Sequence, residues 1–128
     1  LNLIEAALPD GSDVAGTWGW KVGDDELGPD AMVFDETDED VRYTGTPHLC
    51  VEVLSTDRAA DLVRKFAKYA DAGLPRYWIV DLDVPEITVF ELTSEGGYRE
   101  VQRVAGAQEA GLDVGPTQVT LAPSELVS

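Results

Sequence analysis

Residues 47–81 read PHLCVEVLSTDRAADLVRKFAKYADAGLPRYWIVD, and this stretch decides the fold. It begins with an apolar run, Pro47–Ser55, which is typical of a strand buried on both faces. It ends with a second strand pattern, Arg76–Asp81. Between the two runs, apolar residues recur at the spacing of one helix face: Leu62, Phe66, Tyr69 and Ala70. Strand, helix and strand within about 35 residues predict a right-handed βαβ unit with parallel strands.

Further strands are expected on both sides of this unit. Alternating or apolar patterns predict them at Val14–Val22, Leu27–Asp35, Glu86–Leu92, Tyr98–Val104 and Thr117–Leu121. The third and fourth of these form a hairpin around residues 94–97. Residues 1–8 have the apolar spacing of a helix remnant, and the chain does not begin with Met, so we expect that an N-terminal part is truncated.

Two isolated acids stand in these apolar runs. Glu52 alternates with Val51 and Val53, so its side chain points to the opposite face of the strand. Asp30 follows Pro29 at the head of another strand. A carboxylate that faces a core is costly unless it is paired or bound to metal. The alternatives are that Asp30 forms a turn and that Glu52 faces water on an edge strand. The two acids together favour a metal site, to which the Val53 carbonyl could add a ligand.

Lys65 follows on the predicted helix, four residues after Asp61. One interpretation is an ion pair on the helix surface between these two residues. The functional interpretation is that Lys65 orients the attacking water or stabilises the charge that develops on a phosphate. Two acids able to hold a divalent cation, with an ammonium nearby, are the minimum set for metal-assisted phosphodiester hydrolysis.

The chain has one histidine and one cysteine. His48 could act as a general base, but a hydrogen-bonded residue at the start of a strand is the preferred interpretation. Cys50 lies in an apolar strand, where a buried and inert thiol is expected. A single cysteine excludes a disulfide within the chain and fits a reducing cytoplasm.

Composition and charge limit the function. With 128 residues and 44% hydrophobic content, the chain fits a single domain, 1–128, with a real core. It has no apolar stretch long enough to span a membrane and no basic segment typical of a signal peptide. The formal net charge of −16 repels nucleic acid at long range, so a nuclease would need its few bases near the site.

The order of the motifs resembles the Uma2 family of proposed restriction endonucleases. The Pro-Asp strand is followed by Val-Glu-Val-Leu-Ser, by Asp-x-x-x-Lys and by Tyr-Ala-x-Ala-Gly-Leu-Pro-x-Tyr-Trp-Ile-Val-Asp. The resemblance implies the PD-(D/E)XK nuclease superfamily, an α/β (α+β) fold in which helices flank both sides of a mixed sheet. It also implies that Asp30, Glu52 and Lys65 are catalytic, with Asp61 and Ser55 in support. Leu54 occupies the usual place of the superfamily lysine, and the resemblance moves that role to Lys65.

The resemblance therefore implies a DNA endonuclease that uses Mg²⁺ or Mn²⁺, with Asp30, Glu52 and Val53 as metal ligands. Cleavage of both strands of a duplex would need two sites, so we expect a homodimer that uses part of Tyr77–Leu92 or the strand of Trp18 and Trp20. The rival hypothesis is an inactive interaction module that keeps the fold and binds a basic protein. A hydrolase of small phosphorylated molecules is a third possibility.

Overall fold

The computed structural model describes residues 8–16, 19–22, 25–38, 42–54 and 59–126, and the side chains of all of these except residues 25, 26, 42 and 59–64. Its strands are β1 (Ser12–Gly16), β2 (Gly19–Val22), β3 (Asp25–Leu27), β4 (Ala31–Asp35), β5 (Arg42–Tyr43), β6 (Leu49–Leu54), β7 (Arg76–Asp81), β8 (Glu86–Leu92), β9 (Tyr98–Ala105), β10 (Ala110–Asp113) and β11 (Gln118–Leu121). The described residues form one α-helix, α1 (Ala59–Asp71), and a short 3₁₀ helix, Pro123–Leu126.

The main sheet has six strands in the order β1-β4-β6-β7-β8-β9. Strands β6 and β7 are parallel and are joined through α1, whereas every other neighbouring pair in this sheet is antiparallel. The predicted βαβ unit and the mixed α+β sheet are confirmed. The predicted hairpin of β8 and β9 is also confirmed, with Leu92 opposite Tyr98 next to the turn.

The two faces of this sheet are covered in different ways. On one face, α1 and the small sheet β3-β2-β5 pack on the main sheet through Trp20, Met32, Tyr69 and Tyr77. On the other face lies the hairpin of β10 and β11, whose buried residues Leu112 and Leu121 join the sheet core. Among the described residues, the one α-helix lies on the first of these faces and the hairpin covers the second. The alternating apolar residues of a hairpin supply the second apolar layer instead.

Two of the predicted strands are each divided into two shorter strands in the structure. Val14–Val22 divides into β1, which joins the main sheet, and β2, which joins the small sheet. Leu27–Asp35 divides in the same way into β3 and β4, because residues 28–30 leave the strand conformation. Pro29 has no N–H to give to a ladder, and Asp30 turns to accept a hydrogen bond from β6. This break places Asp30 at the junction of the two sheets.

Helix α1 ends in a glycine cap. Gly73 has a φ of 79°, a left-handed conformation that glycine adopts without strain. The N–H of Leu74 donates to the carbonyl of Tyr69, and the N–H of Gly73 donates to that of Ala70, both at 3.1 Å. This is the Schellman pattern, and it confirms the predicted stop at Gly73. It also fixes the last turn of the helix, on which Tyr69 lies.

Other expectations fall partly outside the described residues. Trp18 and the proposed helix remnant up to residue 7 lie outside them. The predicted strand Thr117–Leu121 is present as Gln118–Leu121 and pairs with β10. In the part of the chain that the structure describes, no helix is long and apolar enough to cross a membrane.

Candidate active site

Glu52 lies in the middle of β6, and its side chain is 0% exposed. Strand β6 is internal, between β4 and β7, so the alternative of an edge-strand acid that faces water is wrong. Glu52 points to the same face as Cys50, which packs in the core beneath α1. The prediction of a buried carboxylate on a central strand is confirmed.

Two side chains of α1 donate to this carboxylate. The ammonium Nζ of Lys65 lies 3.1 Å from Oε1 and 3.3 Å from Oε2 of Glu52. The hydroxyl of Tyr69 donates to Oε1 at 2.6 Å. Lys65 and Tyr69 are four residues apart, so they lie on one face of the helix. The prediction that Lys65 points at the acidic site is confirmed, and its side chain remains 19% exposed, so the site reaches solvent there.

Asp30 lies directly before β4 and contacts β6, the strand that carries Glu52. Its Oδ2 accepts a hydrogen bond from the backbone N–H of Val53 at 2.7 Å. Ala31 pairs with Val51 in the antiparallel register of β4 and β6, so Asp30 lies beside Glu52 one step further along. The structure therefore brings Asp30, Glu52 and Lys65 together at one end of the β4–β6 ladder.

The surroundings of Glu52 have opposing effects on the pKa of its carboxyl group. Burial raises the pKa of the Glu52 carboxyl above its ordinary value. The hydrogen bond from Tyr69 and the charge and hydrogen bond of Lys65 lower that pKa, whereas the negative charge of Asp30 raises it again. The net shift is upward. A metal cation near Asp30 and Glu52, in addition to the ammonium of Lys65, would therefore be favourable.

Tyr69 is a site residue that the sequence analysis assigned only to the core. It is fully buried, and burial is the main reason that its pKa lies far above the ordinary value, with Cys50 and Glu52 adding to the shift. The phenol therefore stays protonated and can donate to the carboxylate. The available signal was its spacing of four residues from Lys65, but an aromatic residue in an apolar stripe is far more often a packing residue.

His48 and Cys50 have structural roles. The Nε2 atom of His48 lies 2.8 Å from Oδ1 of Asp35, so the interpretation as a hydrogen-bonded residue at the start of a strand is confirmed. Cys50 is buried, and burial followed by the charge of Glu52 raises the pKa of its thiol well above the ordinary value. The prediction of a buried thiol is therefore confirmed.

The donor atoms of this site fit a hard cation. Within the described residues there is no group of three His, Cys, Asp or Glu side chains that could hold a metal. Mg²⁺ does not need such a group, because it is commonly held by one or two carboxylates together with waters and substrate phosphates. Asp30 and Glu52 provide two carboxylates against the single ammonium of Lys65. Ser55 and the side chain of Asp61, both predicted to support the site, lie outside the described residues.

Comparison with known proteins shows the family of the chain. The model of the Uma2 family, which carries the description "Putative restriction endonuclease", matches residues 1–124. The chain belongs to the Uma2 family. The resemblance found in the sequence is thereby confirmed. A search of curated proteins found no match to this Uma2 protein.

A solved structure shares the fold. It is titled as a putative nuclease belonging to DUF820 from Anabaena variabilis, and it matches with a TM-score of 0.67 at 17% sequence identity. The match covers 88% of the Uma2 chain and 66% of the solved chain, just under two thirds of the latter. At this identity the likeness establishes the nuclease-like fold and nothing beyond it.

Proposed function

We propose that this Uma2 protein is a metal-dependent DNA endonuclease that hydrolyses phosphodiester bonds. The observation that carries the proposal is the contact of Lys65 with the buried Glu52, next to Asp30. A buried acid and a lysine brought together from a strand and a helix are not needed for stability, because apolar residues would pack as well or better. Such a pair is typical of a site with a chemical task.

Different residues of the site have different roles in the proposed reaction. Asp30, Glu52 and the Val53 carbonyl would hold Mg²⁺ or Mn²⁺, which supplies Lewis-acid stabilisation of a phosphate and lowers the pKa of bound water. Lys65 is part-exposed, so its ammonium can donate to a phosphate oxygen where negative charge develops. Tyr69 and the surrounding core keep the Glu52 side chain in place and dry.

DNA is the proposed substrate because the Uma2 family description names a restriction endonuclease. The net charge of −16 opposes long-range attraction of DNA. Binding would then depend on a few phosphate contacts and should weaken steeply with added salt. Assays therefore belong at low ionic strength.

The test is cleavage of supercoiled plasmid by the wild-type chain and by Glu52→Gln, each with Mg²⁺ or Mn²⁺ and with EDTA. We expect slow nicking by wild type that EDTA abolishes and that Glu52→Gln lacks, because the amide cannot replace a metal-binding carboxylate. Equal cleavage by both proteins would identify a contaminant. No cleavage by well-folded wild type with either ion would contradict the proposal.

A non-enzymatic interaction module is the second candidate. It is favoured by the net charge of −16 and by the fact that Lys65 already neutralises Glu52. A protein of this kind would bind a basic partner through its acidic surface. Wild type that binds neither Mn²⁺ nor DNA, yet binds a basic protein in a salt-dependent way, would favour the module over the endonuclease.

We also propose that the chain works as a homodimer in the cytoplasm, since two sites are needed to cut both strands. Trp20 is buried within the protein, so it is not part of such an interface. Leu82 and Val84, in the turn between β7 and β8, are 40% and 60% exposed and are the better candidates. Light scattering should give a dimer mass for wild type and a monomer mass for the double variant Leu82→Ser, Val84→Ser.

A further inference from the structure

We infer that the ion pair of Lys65 with Glu52 is an autoinhibitory contact: the ammonium competes with the proposed metal for the Glu52 carboxylate, and metal binding displaces it. The inference deepens the proposed function and rests on it. It gives Lys65 a role in metal binding that is separate from its proposed role at the phosphate.

The ammonium of Lys65 lies against both oxygens of the carboxylate. Its Nζ is 3.1 Å from Oε1 and 3.3 Å from Oε2 of Glu52. The Glu52 side chain is 0% exposed, whereas that of Lys65 is 19% exposed. On the side where Lys65 reaches solvent, a metal ion therefore meets the ammonium before it reaches the carboxylate.

A divalent ion and this ammonium oppose each other at one carboxylate. Mg²⁺ binds its oxygen ligands at about 2.0–2.1 Å, so an ion bound to Glu52 would lie very close to an ammonium that still contacted both oxygens. Like charges at such a distance repel strongly in a site of low effective dielectric constant. The bond of the ammonium to Glu52 must therefore weaken as the metal binds.

Lys65 is the donor to Glu52 that can move. The other donor from α1, Tyr69, is fully buried, and its ring stacks on Trp20 at 6.0 Å and meets Tyr77 edge-on at 5.1 Å between centroids. Lys65 instead carries its charge on a flexible four-carbon stem, and its side chain is part-exposed. A displaced ammonium can therefore turn toward solvent, where a substrate phosphate would be a new charged partner for it.

The experiment measures the affinity for Mn²⁺ by electron paramagnetic resonance of the free ion in wild type, Lys65→Met and the control Lys68→Met. Titrations at pH 8 keep Glu52 ionised in the variant, in which it has lost a charged partner. We expect Lys65→Met to bind Mn²⁺ at least about tenfold more tightly than wild type, because a competing charge at close range is gone. Lys68 is on the same helix but exposed, so Lys68→Met should change the affinity about twofold at most.

Nuclear magnetic resonance of the ¹⁵N-labelled lysine ammonium groups provides a second test, on the wild-type protein. The signal of Lys65 is identified by its absence in Lys65→Arg. It should shift or disappear over the range of Mg²⁺ concentration in which the metal binds, whereas the signal of Lys68 should stay in place.

The outcomes separate the competition from the proposed function. Equal Mn²⁺ affinity of wild type and a folded Lys65→Met, or a Lys65 signal that is unchanged at saturating Mg²⁺, would overturn the competition and leave the proposed function standing. Binding of Mn²⁺ by Lys65→Met but not by wild type would be the extreme form of the expected result. Binding by neither protein would overturn both proposals.

Discussion

The ammonium of Lys65 lies within 3.3 Å of both carboxylate oxygens of Glu52, although the two residues come from a helix and a strand. The superfamily pattern would place the lysine at position 54, two residues further along β6, where this chain has Leu54. In this chain, helix α1 brings the ammonium of Lys65 to Glu52. The lysine at this acid therefore comes from the helix and not from the strand that carries the glutamate.

Lys65→Met should abolish most of the cleavage activity while Mn²⁺ binding persists. In the proposed reaction, the variant removes a donor to the developing charge, and such donors are worth about 100- to 1,000-fold in rate. The proposed metal ligands stay in place, so titration with Mn²⁺ should still reach saturation. The measurement is the single-turnover rate of plasmid nicking.

Lys68→Met is the matched control for this prediction. Lys68 lies on the same helix but is exposed, so its loss should change the rate about twofold at most. A comparable fall in both variants would mean that Lys65 acts through the general charge of the helix and not through the site.

The Glu52→Gln variant should be more stable than wild type above about pH 4.5, the ordinary pKa of glutamate. The difference in stability should grow as the pH rises. The pKa of Glu52 is raised in the folded state, so the folded protein holds this proton more tightly than the unfolded chain does. This tighter proton binding stabilises the folded wild type below the pKa of the unfolded chain. The stabilisation is lost as the pH rises through the pKa of the folded state. Glutamine keeps an oxygen for Tyr69 and does not titrate.

Thermal unfolding between pH 4 and pH 8 checks this prediction. The difference in Tm between Glu52→Gln and wild type should grow with pH over the acidic part of the range and then level off. A constant difference would show that ionisation of Glu52 is not opposed by its surroundings.

The sequence predicts Glu52 and Lys65 of the candidate site better than the residue that supports them. Glu52 could be found because a lone acid in an apolar strand is costly, and Lys65 because the family pattern points to it. Tyr69 could not be singled out, because the helical period that marks it as buried is the same for a packing residue. The fold shows a similar division. The βαβ unit depends on local periodicity, whereas β5 is a two-residue strand that pairs with β2, much earlier in the chain.

Asp30 has an observed hydrogen bond to Val53 and a proposed role in metal binding, and two substitutions can separate them. Asp30→Asn keeps an oxygen for the N–H of Val53 but loses the charge, so it should stay near wild-type stability and bind Mn²⁺ weakly. Asp30→Ala also leaves that N–H without its acceptor, which should cost about 1–3 kcal/mol in the free energy of unfolding. Denaturant unfolding and Mn²⁺ titration measure the two effects. Equal stability of the two variants would mean that the bond to Val53 contributes nothing.

Gly115→Ala should destabilise the protein by more than Gly11→Ala, because only the first glycine lies against another residue. Both have a positive φ, 107° and 90°, so both substitutions introduce backbone strain of about 1–3 kcal/mol. A Cβ at position 115 would also lie 2.5 Å from the Cβ of His48, whereas one at position 11 would meet nothing within 4 Å. Relief of that overlap requires the turn after β10 to move away from the start of β6, against the ion pair of Arg76 with Asp113 at 3.0 Å. Chemical denaturation of both variants gives the comparison. Equal losses would mean that the β10–β11 hairpin does not rest on His48, and that the second face of the sheet is covered in some other way.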